Sequence, residues 1–223
     1  CVLFFFLEVT EDVTDQGAKV NTRALALDFL LETVEKGGYS HVVMRGMLEK
    51  YQYLDKKERA FLTRLCEGTL ERMLELDAII NRCSKVPVKK MKPVIRNLLR
   101  LSVYQLKYMD QIPDSAVCNE AVKLAQKKGF YNLKPFVNGV LRTIAREIGK
   151  LELPSREEDE VRYLSVKYSM PEYLVEKWKA AYGVKTTEKI LEDFLTERPI
   201  TVRCRTHKAS LREIVTSLKS QGV

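Results

Sequence analysis

Apolar residues recur every three or four positions along residues 21–150, which is the spacing of amphipathic helices. Capping residues stand where the apolar runs begin. Asn21 can cap the first helix, and Asp55 with Glu58 has the spacing of a capping box. The predicted helices begin at or near Asn21, Ser40, Asp55, Asp77, Pro93, Asp114 and Lys134. About seven helices with short connections predict one all-α bundle over residues 21–150.

The helix predicted to follow Pro93 differs from the others because it is apolar around most of its circumference. Its apolar positions are Val94, Ile95, Leu98, Leu99, Leu101, Val103 and Leu106. A helix of this kind must be covered on several sides. The sequence therefore predicts that the helix running from Pro93 to about Met109 lies at the centre of the domain.

The segment 151–198 has the pattern of a helical linker subdomain. Ser155 and Glu158 have the spacing of a second capping box. The next helix is predicted to begin at Pro171 and to end at Gly183, with a further helix after it.

The periodicity changes from helical to alternating after Pro199, which predicts a strand. The alternating apolar residues are Ile200, Val202 and Cys204. Ser210 and Glu213 then form a third capping box and open a helix. One strand and one helix cannot complete a sheet. We therefore expect residues 199–223 to be the first strand and helix of a truncated α/β subdomain in a mainly all-α chain.

Residues 1–20 are interpreted as an N-terminal appendage. The apolar run Val2–Leu7 is far shorter than the ~20 residues of a membrane span, and it lacks the basic start of a signal peptide. The five cysteines are widely spaced without a CxxC pair, and the two histidines lie far apart. These features predict a cytoplasmic protein without disulfides, a metal site or a membrane partner.

The net charge of +8 is concentrated in residues 21–150, which hold 24 Lys and Arg against 14 Asp and Glu, a net +10. No acidic residue occurs between Asp77 and Asp110. Such a local excess indicates a polyanionic partner, with nucleic acid first. The alternative is a solvated basic face on a helical protein.

Arg96, Arg100 and Lys107 fall within 40° of one another on the predicted central helix, and Tyr104 lies beside them. Three further cations precede the helix: Lys89, Lys90 and Lys92. Cationic groups suit phosphates, and an adjacent ring can stack on an unpaired base. This pattern predicts an RNA contact. The alternative is that these residues border the core and form ion pairs with neighbouring helices.

Further candidate RNA contacts are Arg23 on the first helix and Arg203 and Arg205 on the predicted strand. Catalytic signatures are absent, because the sequence has no glycine-rich phosphate loop, no GxSxG and no HExxH. No catalytic, cofactor-binding or metal-binding residue is therefore predicted.

Two motifs in the helical domain resemble the signature of the NusB family of RNA-binding helical proteins. They are the stretch from Ile112 to Ala125 and the stretch from Phe136 to Arg142, and the segment from Arg96 to Leu106 resembles the central helix of that family. The resemblance covers roughly residues 22–150. It implies a NusB-like fold that binds RNA.

A second stretch, from Leu164 through Trp178 and Gly183 to the strand at Thr201–Arg203, is similar to the front of bacterial small-subunit ribosomal RNA 5-methylcytosine methyltransferases of the RsmB/Sun type. The resemblance adds Lys208 to the candidate RNA contacts. It implies an N-terminal region that positions small-subunit rRNA. The S-adenosylmethionine-dependent catalytic domain would be absent from this chain, which by itself would have no cofactor and no activity.

Two other functions are compatible with the sequence. One is a NusB-type transcription antitermination factor that binds nascent RNA and a ribosomal protein, although such a factor has no need of residues 155–223. The other is a helical protein-interaction module without an RNA role.

Overall fold

The computed structural model describes residues 20–151, 154–196 and 203–220, and the regular elements in these ranges are helical. The α-helices are α1 (Thr22–Leu30), α2 (Ser40–Lys50), α3 (Lys56–Glu71), α4 (Met73–Cys83), α5 (Pro93–Tyr108), α6 (Asp114–Lys127), α7 (Lys134–Glu147), α8 (Glu160–Tyr168), α9 (Glu172–Phe194) and α10 (Leu211–Ser220). A π-helical turn, Leu31–Glu35, continues α1, and 3₁₀ turns occur at Val88–Lys90 and Tyr131–Leu133. The predicted mainly all-α fold is confirmed. No described helix is both long enough and apolar enough to cross a membrane.

Local capping signals place several helix starts where the sequence predicts them. The Asn21 side chain accepts hydrogen bonds from two backbone N–H groups of α1. Asp55 and Glu58 form the reciprocal capping box of α3. Pro93 occupies the first turn of α5, where its missing N–H costs nothing.

α2 begins at Ser40 as predicted but has a different cap, and two other predicted helix starts are wrong. Tyr39, not Ser40, stands at the N-cap of α2. Asp77 lies inside α4, which begins at Met73. Its carboxylate accepts a hydrogen bond from Arg100 of α5 and does not cap a helix. The helix after the linker is capped by Asp159, whose side chain accepts from Arg162, and not by Ser155.

The central position predicted for α5 is confirmed. α5 packs against α1, α3, α4, α6, α7 and the π-helical turn. Residues around its whole circumference are buried, including Leu98, Leu99 and Val103. The helix also buries polar residues, and each of them forms a hydrogen bond within the protein: Asn97, Arg100, Ser102 and Gln105.

A second, smaller apolar cluster joins α8 to α9. Its buried members are Leu164, Tyr168, Val175 and Leu191. α9 is interrupted at Gly183, whose φ of 75° and ψ of 165° are non-helical, so the predicted helix end at this glycine is confirmed. α8 also packs against α4 of the larger domain.

The predicted strand lies mostly outside the described residues, which omit 197–202. Its described end, Arg203 and Cys204, is not in a strand. The capping box that opens α10 is confirmed, because Ser210 and Glu213 exchange backbone and side-chain hydrogen bonds. The predicted domain boundaries stay predictions, and the appendage of residues 1–20 lies almost entirely outside the described ranges.

Candidate nucleic-acid interface

Arg96 on α5 is held by an acid from the π-helical turn. Its guanidinium forms two hydrogen bonds with the carboxylate of Glu35, through Nε at 2.8 Å and through one Nη. Asn97 donates to the same carboxylate. The hydrogen bond from Arg96 lowers the pKa of the Glu35 carboxyl below its ordinary value, because it stabilises the charged form. Both partners of this pair are partly buried.

Arg100 is buried, with 7% of its surface exposed. It forms a bidentate pair with Asp77 of α4, in which both N···O distances are 2.7 Å. A third donor, Nη1, reaches the Asn97 side-chain oxygen at 2.9 Å. A planar guanidinium with these partners has its hydrogen-bonding capacity directed into the protein.

Lys107 forms an ion pair with Glu75, a buried residue of α4. The Tyr108 hydroxyl donates to the second oxygen of the same carboxylate at 2.5 Å, and the Arg72 guanidinium lies over the Tyr108 ring. Burial and the nearby Glu75 raise the pKa of Tyr108, so the phenol stays a donor.

The sequence places Tyr104 beside the basic stripe formed by Arg96, Arg100 and Lys107. In the structure its ring packs onto the backbone of Gly68 in α3. A Cβ atom at position 68 would collide with the Tyr104 ring and hydroxyl. Tyr104 is only 7% exposed. A buried ring cannot stack on an RNA base without a rearrangement of the core.

The predicted stripe therefore exists but faces carboxylates and the core. Arg96, Arg100 and Lys107 each pair with an acid from another segment, so they border the core and form ion pairs with neighbouring elements. The assumption that these cations stand open to a polyanion is corrected by the structure. A role in RNA contact stays a prediction for them.

The loop between α4 and α5 presents cations that remain open. Lys89, Lys90 and Lys92 are exposed, and none forms an ion pair with a described residue. Between them, Val88 and Met91 are buried and anchor the loop in the core. The loop is further fixed because the Val88 N–H donates to the Asn81 side chain at 2.8 Å. The other exposed lysine of this loop is Lys85.

Arg23 lines a groove between the start of α1, α3 and the segment after α5. The volume of this cavity is about 690 Å³. Arg23 donates from Nε to Gln105 at 2.7 Å, and its guanidinium lies 5.2 Å from the centre of the Phe61 ring. Burial lowers the pKa of Arg23. Lys57 and Arg64 add two more cations to the rim.

Sequence reasoning missed an exposed aromatic residue at the turn between α6 and α7. Tyr131 is 63% exposed, and the Lys134 ammonium lies 4.6 Å from the centre of its ring. Lys127 stands at the end of α6 just before this turn, and it is also exposed. The signal that could have revealed this surface is the basic and aromatic run from Lys127 to Lys134.

Arg203, Arg205 and Lys208 are exposed in the segment before α10. The Lys208 N–H donates to the Arg205 carbonyl at 2.9 Å, which defines a turn. No described acid forms an ion pair with these three residues. Nor do the described residues bring together three His, Cys, Asp or Glu side chains that could hold a metal ion.

Comparison with known families identifies two regions of the chain. Residues 20–146 match the NusB family, and residues 170–223 match the Methyltr_RsmF/B-like, ferredoxin-like domain. The described helical domain, α1 to α7, corresponds to the first match.

Individual relatives agree with both matches. The probable ribosomal RNA small subunit methyltransferase B of Bacillus subtilis (strain 168) is 36% identical over 207 residues, which cover 92% of this chain and 45% of the relative. The transcription antitermination protein NusB of Acidothermus cellulolyticus is 33% identical over 128 residues, covering 57% of this chain and 86% of the relative. The structure of T. maritima NusB superimposes with a TM-score of 0.51 at 27% identity, over 58% of this chain and 94% of that chain. The chain spans about half the length of the methyltransferase relatives it matches.

Proposed function

Because this chain belongs to the NusB family, we propose that its helical domain binds RNA and positions small-subunit rRNA for methylation. The chain would serve as the RNA-binding region of an S-adenosylmethionine-dependent rRNA 5-methylcytosine methyltransferase in the cytoplasm. The match of residues 170–223 to a domain of methyltransferases supports this choice. So does the similarity to the Bacillus subtilis relative over 92% of the chain.

The observation that carries the RNA-binding proposal is the open lysine loop, which Val88 and Met91 anchor in the core. Lys89, Lys90 and Lys92 are exposed, carry no ion pair with a described residue, and lie where no acid occurs from residue 78 to 109. Phosphates attract such cations without first having to break an existing ion pair. The buried anchors Val88 and Met91 fix the backbone that carries the three lysines, so less backbone entropy is lost on binding.

Two other surfaces are proposed as secondary RNA contacts. The groove at Arg23 offers a cation above an aromatic ring, and the exposed Tyr131 ring with Lys134 offers a stacking platform for an unpaired base. Arg203, Arg205 and Lys208 add exposed cations in the region that matches the methyltransferase domain. Phosphate contacts would give affinity, and base stacking would favour single-stranded segments.

Competition binding tests the proposal directly. The purified chain is bound to labelled small-subunit rRNA made by transcription, and unlabelled small-subunit rRNA or large-subunit rRNA fragments of equal length compete. We expect small-subunit rRNA to compete at lower concentration than the other RNA. Equal competition by all RNAs would contradict a role in positioning this substrate, and no binding at low salt would contradict RNA binding altogether.

S-adenosylmethionine is not proposed to bind within this chain. S-adenosylmethionine would donate the methyl group, but the sequence has no glycine-rich loop to hold it. We expect calorimetry with the purified chain to detect no stoichiometric S-adenosylmethionine site. A site of micromolar affinity would overturn this assignment of the cofactor to another part of the parent protein.

Transcription antitermination is the second candidate function. It is favoured by similarity to proteins named transcription antitermination protein NusB, one of which is 40% identical over 98 residues. The match to the NusB family ends at residue 146, and the region 170–223 matches the methyltransferase domain instead. The two functions predict different preferred RNAs, so the competition experiment with nascent leader RNA as an additional competitor separates them.

A further inference from the structure

The N-terminus of α4 has no cap from its own segment. Arg72 occupies the N-cap position, and its side chain makes no capping hydrogen bond. The first backbone N–H groups of a helix have no acceptor within the helix. One of these groups, the N–H of Leu74, donates to the hydroxyl of Ser169 at 2.9 Å, across a sequence separation of 95 residues.

Ser169 reaches this position through an unusual backbone conformation. It ends α8 with φ of 54° and ψ of 37°, and among the described residues it is the only residue other than glycine with a positive φ. The Met170 N–H donates to the Ser165 carbonyl at 3.0 Å and the Ser169 N–H to the Val166 carbonyl, which is the Schellman arrangement of a helix end.

Glycine is the residue that fits this conformation best, because a Cβ raises the energy of the left-handed region. Serine at position 169 therefore raises the local conformational energy. The end of α8 would form at least as well with glycine at this position. The hydroxyl is the group that glycine lacks, and its hydrogen bond goes to the other domain.

We propose that Ser169 is a positioning residue, which fixes α8 and α9 on the helical domain by capping α4 across the junction. α4 and α8 pack against each other but leave a groove between them. A cavity of about 420 Å³ lies at this junction, lined by Ile79 and Arg82 of α4 and by Arg162 and Val166 of α8. A directional hydrogen bond beside this groove constrains the orientation of α8 in addition to the packing.

Amide hydrogen exchange tests the cap. Ser169→Gly keeps the favoured backbone and removes the hydroxyl, while Ser169→Ala removes the hydroxyl and keeps the Cβ atom. We expect the Leu74 amide to exchange about tenfold faster in both variants, because the acceptor that the described residues give it is lost. The Met170 amide should keep its protection in Ser169→Gly. The matched control is Ser210→Gly, which removes the cap of α10 and should leave Leu74 unchanged.

Residual dipolar couplings test the positioning. In the unaltered chain the couplings of α5 and α9 should fit one alignment tensor, because the two units move together. In Ser169→Gly the tensor of α9 should become smaller than that of α5. Unchanged Leu74 exchange in Ser169→Gly would overturn the cap. Faster Leu74 exchange with a single shared tensor would overturn the positioning role.

Discussion

At the level of single residues, the cations of α5 are paired with carboxylates that come from other segments. Glu35, Asp77 and Glu75 reach Arg96, Arg100 and Lys107 respectively. A buried ion pair contributes little net stability when intact, but removing one partner leaves an uncompensated charge. The acid-paired cations are therefore expected to respond to mutation through stability.

Arg100→Gln should lower the free energy of unfolding by about 3 kcal/mol, because Asp77 and Asn97 lose a buried partner. Lys89→Gln is the matched control, since Lys89 is exposed and unpaired among the described residues. Its effect should stay within about 0.5 kcal/mol. Urea denaturation of both variants measures the difference. Equal stability of the two variants would show that the pair of Arg100 and Asp77 is not held as described.

Glu35 predicts a pH dependence of stability. Its folded pKa lies below the ordinary value, so its pair with Arg96 contributes fully above the unfolded pKa. That contribution is lost as pH falls through the lowered folded pKa. Comparing Glu35→Gln with the unaltered chain in urea at pH 7 and at successively lower pH below 4.5 measures this. The advantage of the unaltered chain should shrink with acid. An advantage that stays constant down to pH 2 would contradict the lowered pKa.

At the level of elements, two irregularities of the helices position side chains for ion pairing or for packing. The π-helical turn Leu31–Glu35 continues α1 and brings Glu35 against the first turn of α5. The break at Gly183 divides α9 into two parts. Val175 before the break and Leu191 after it both belong to the apolar cluster shared with α8. Both irregularities therefore have a packing consequence.

Gly183→Ala should destabilise the α8–α9 unit by about 1 to 3 kcal/mol, because φ of 75° with ψ of 165° is nearly restricted to glycine. No described atom lies within 4 Å of the added Cβ, so the cost is backbone strain alone. Gly139→Ala in α7 is the control. It also has open space but lies in a regular helix, so it should be neutral or stabilising. Hydrogen exchange of α8 and α9 measures both, and equal effects would contradict the assigned break.

At the level of the whole molecule, local signals were predictable from sequence and long-range partners were not. Asp55 and Glu58 lie three residues apart, so their capping box could be read directly. The spacing of Arg96 and Arg100 predicts that they share one face of the helix. The acids that pair with them, Glu35 and Asp77, lie 61 and 23 residues away in the sequence, so the pairs could not be predicted. Asp77 was misassigned as a cap for the same reason: its partner is tertiary.

The helical domain should fold without the rest of the chain. Its apolar cluster contains residues from α1 to α7 and is distinct from the cluster of α8 and α9. A fragment of residues 20–151 is expected to unfold cooperatively in urea, with the near-ultraviolet circular dichroism of a packed core. The fragment loses the Ser169 cap, so slightly lower stability is expected. A non-cooperative transition would contradict an independent domain.

The salt dependence of RNA binding tests the central claim most directly. In Lys89→Gln/Lys90→Gln/Lys92→Gln, the slope of log affinity against log salt for a single-stranded small-subunit rRNA fragment should fall by about 2, since each phosphate contact contributes about 0.7. The charge-matched control Lys177→Gln/Lys185→Gln/Lys189→Gln replaces three exposed lysines of α9 and should keep the slope. An unchanged slope in the first variant, with a lower slope in folded Arg96→Gln, would contradict the account and return the contact to the acid-paired stripe.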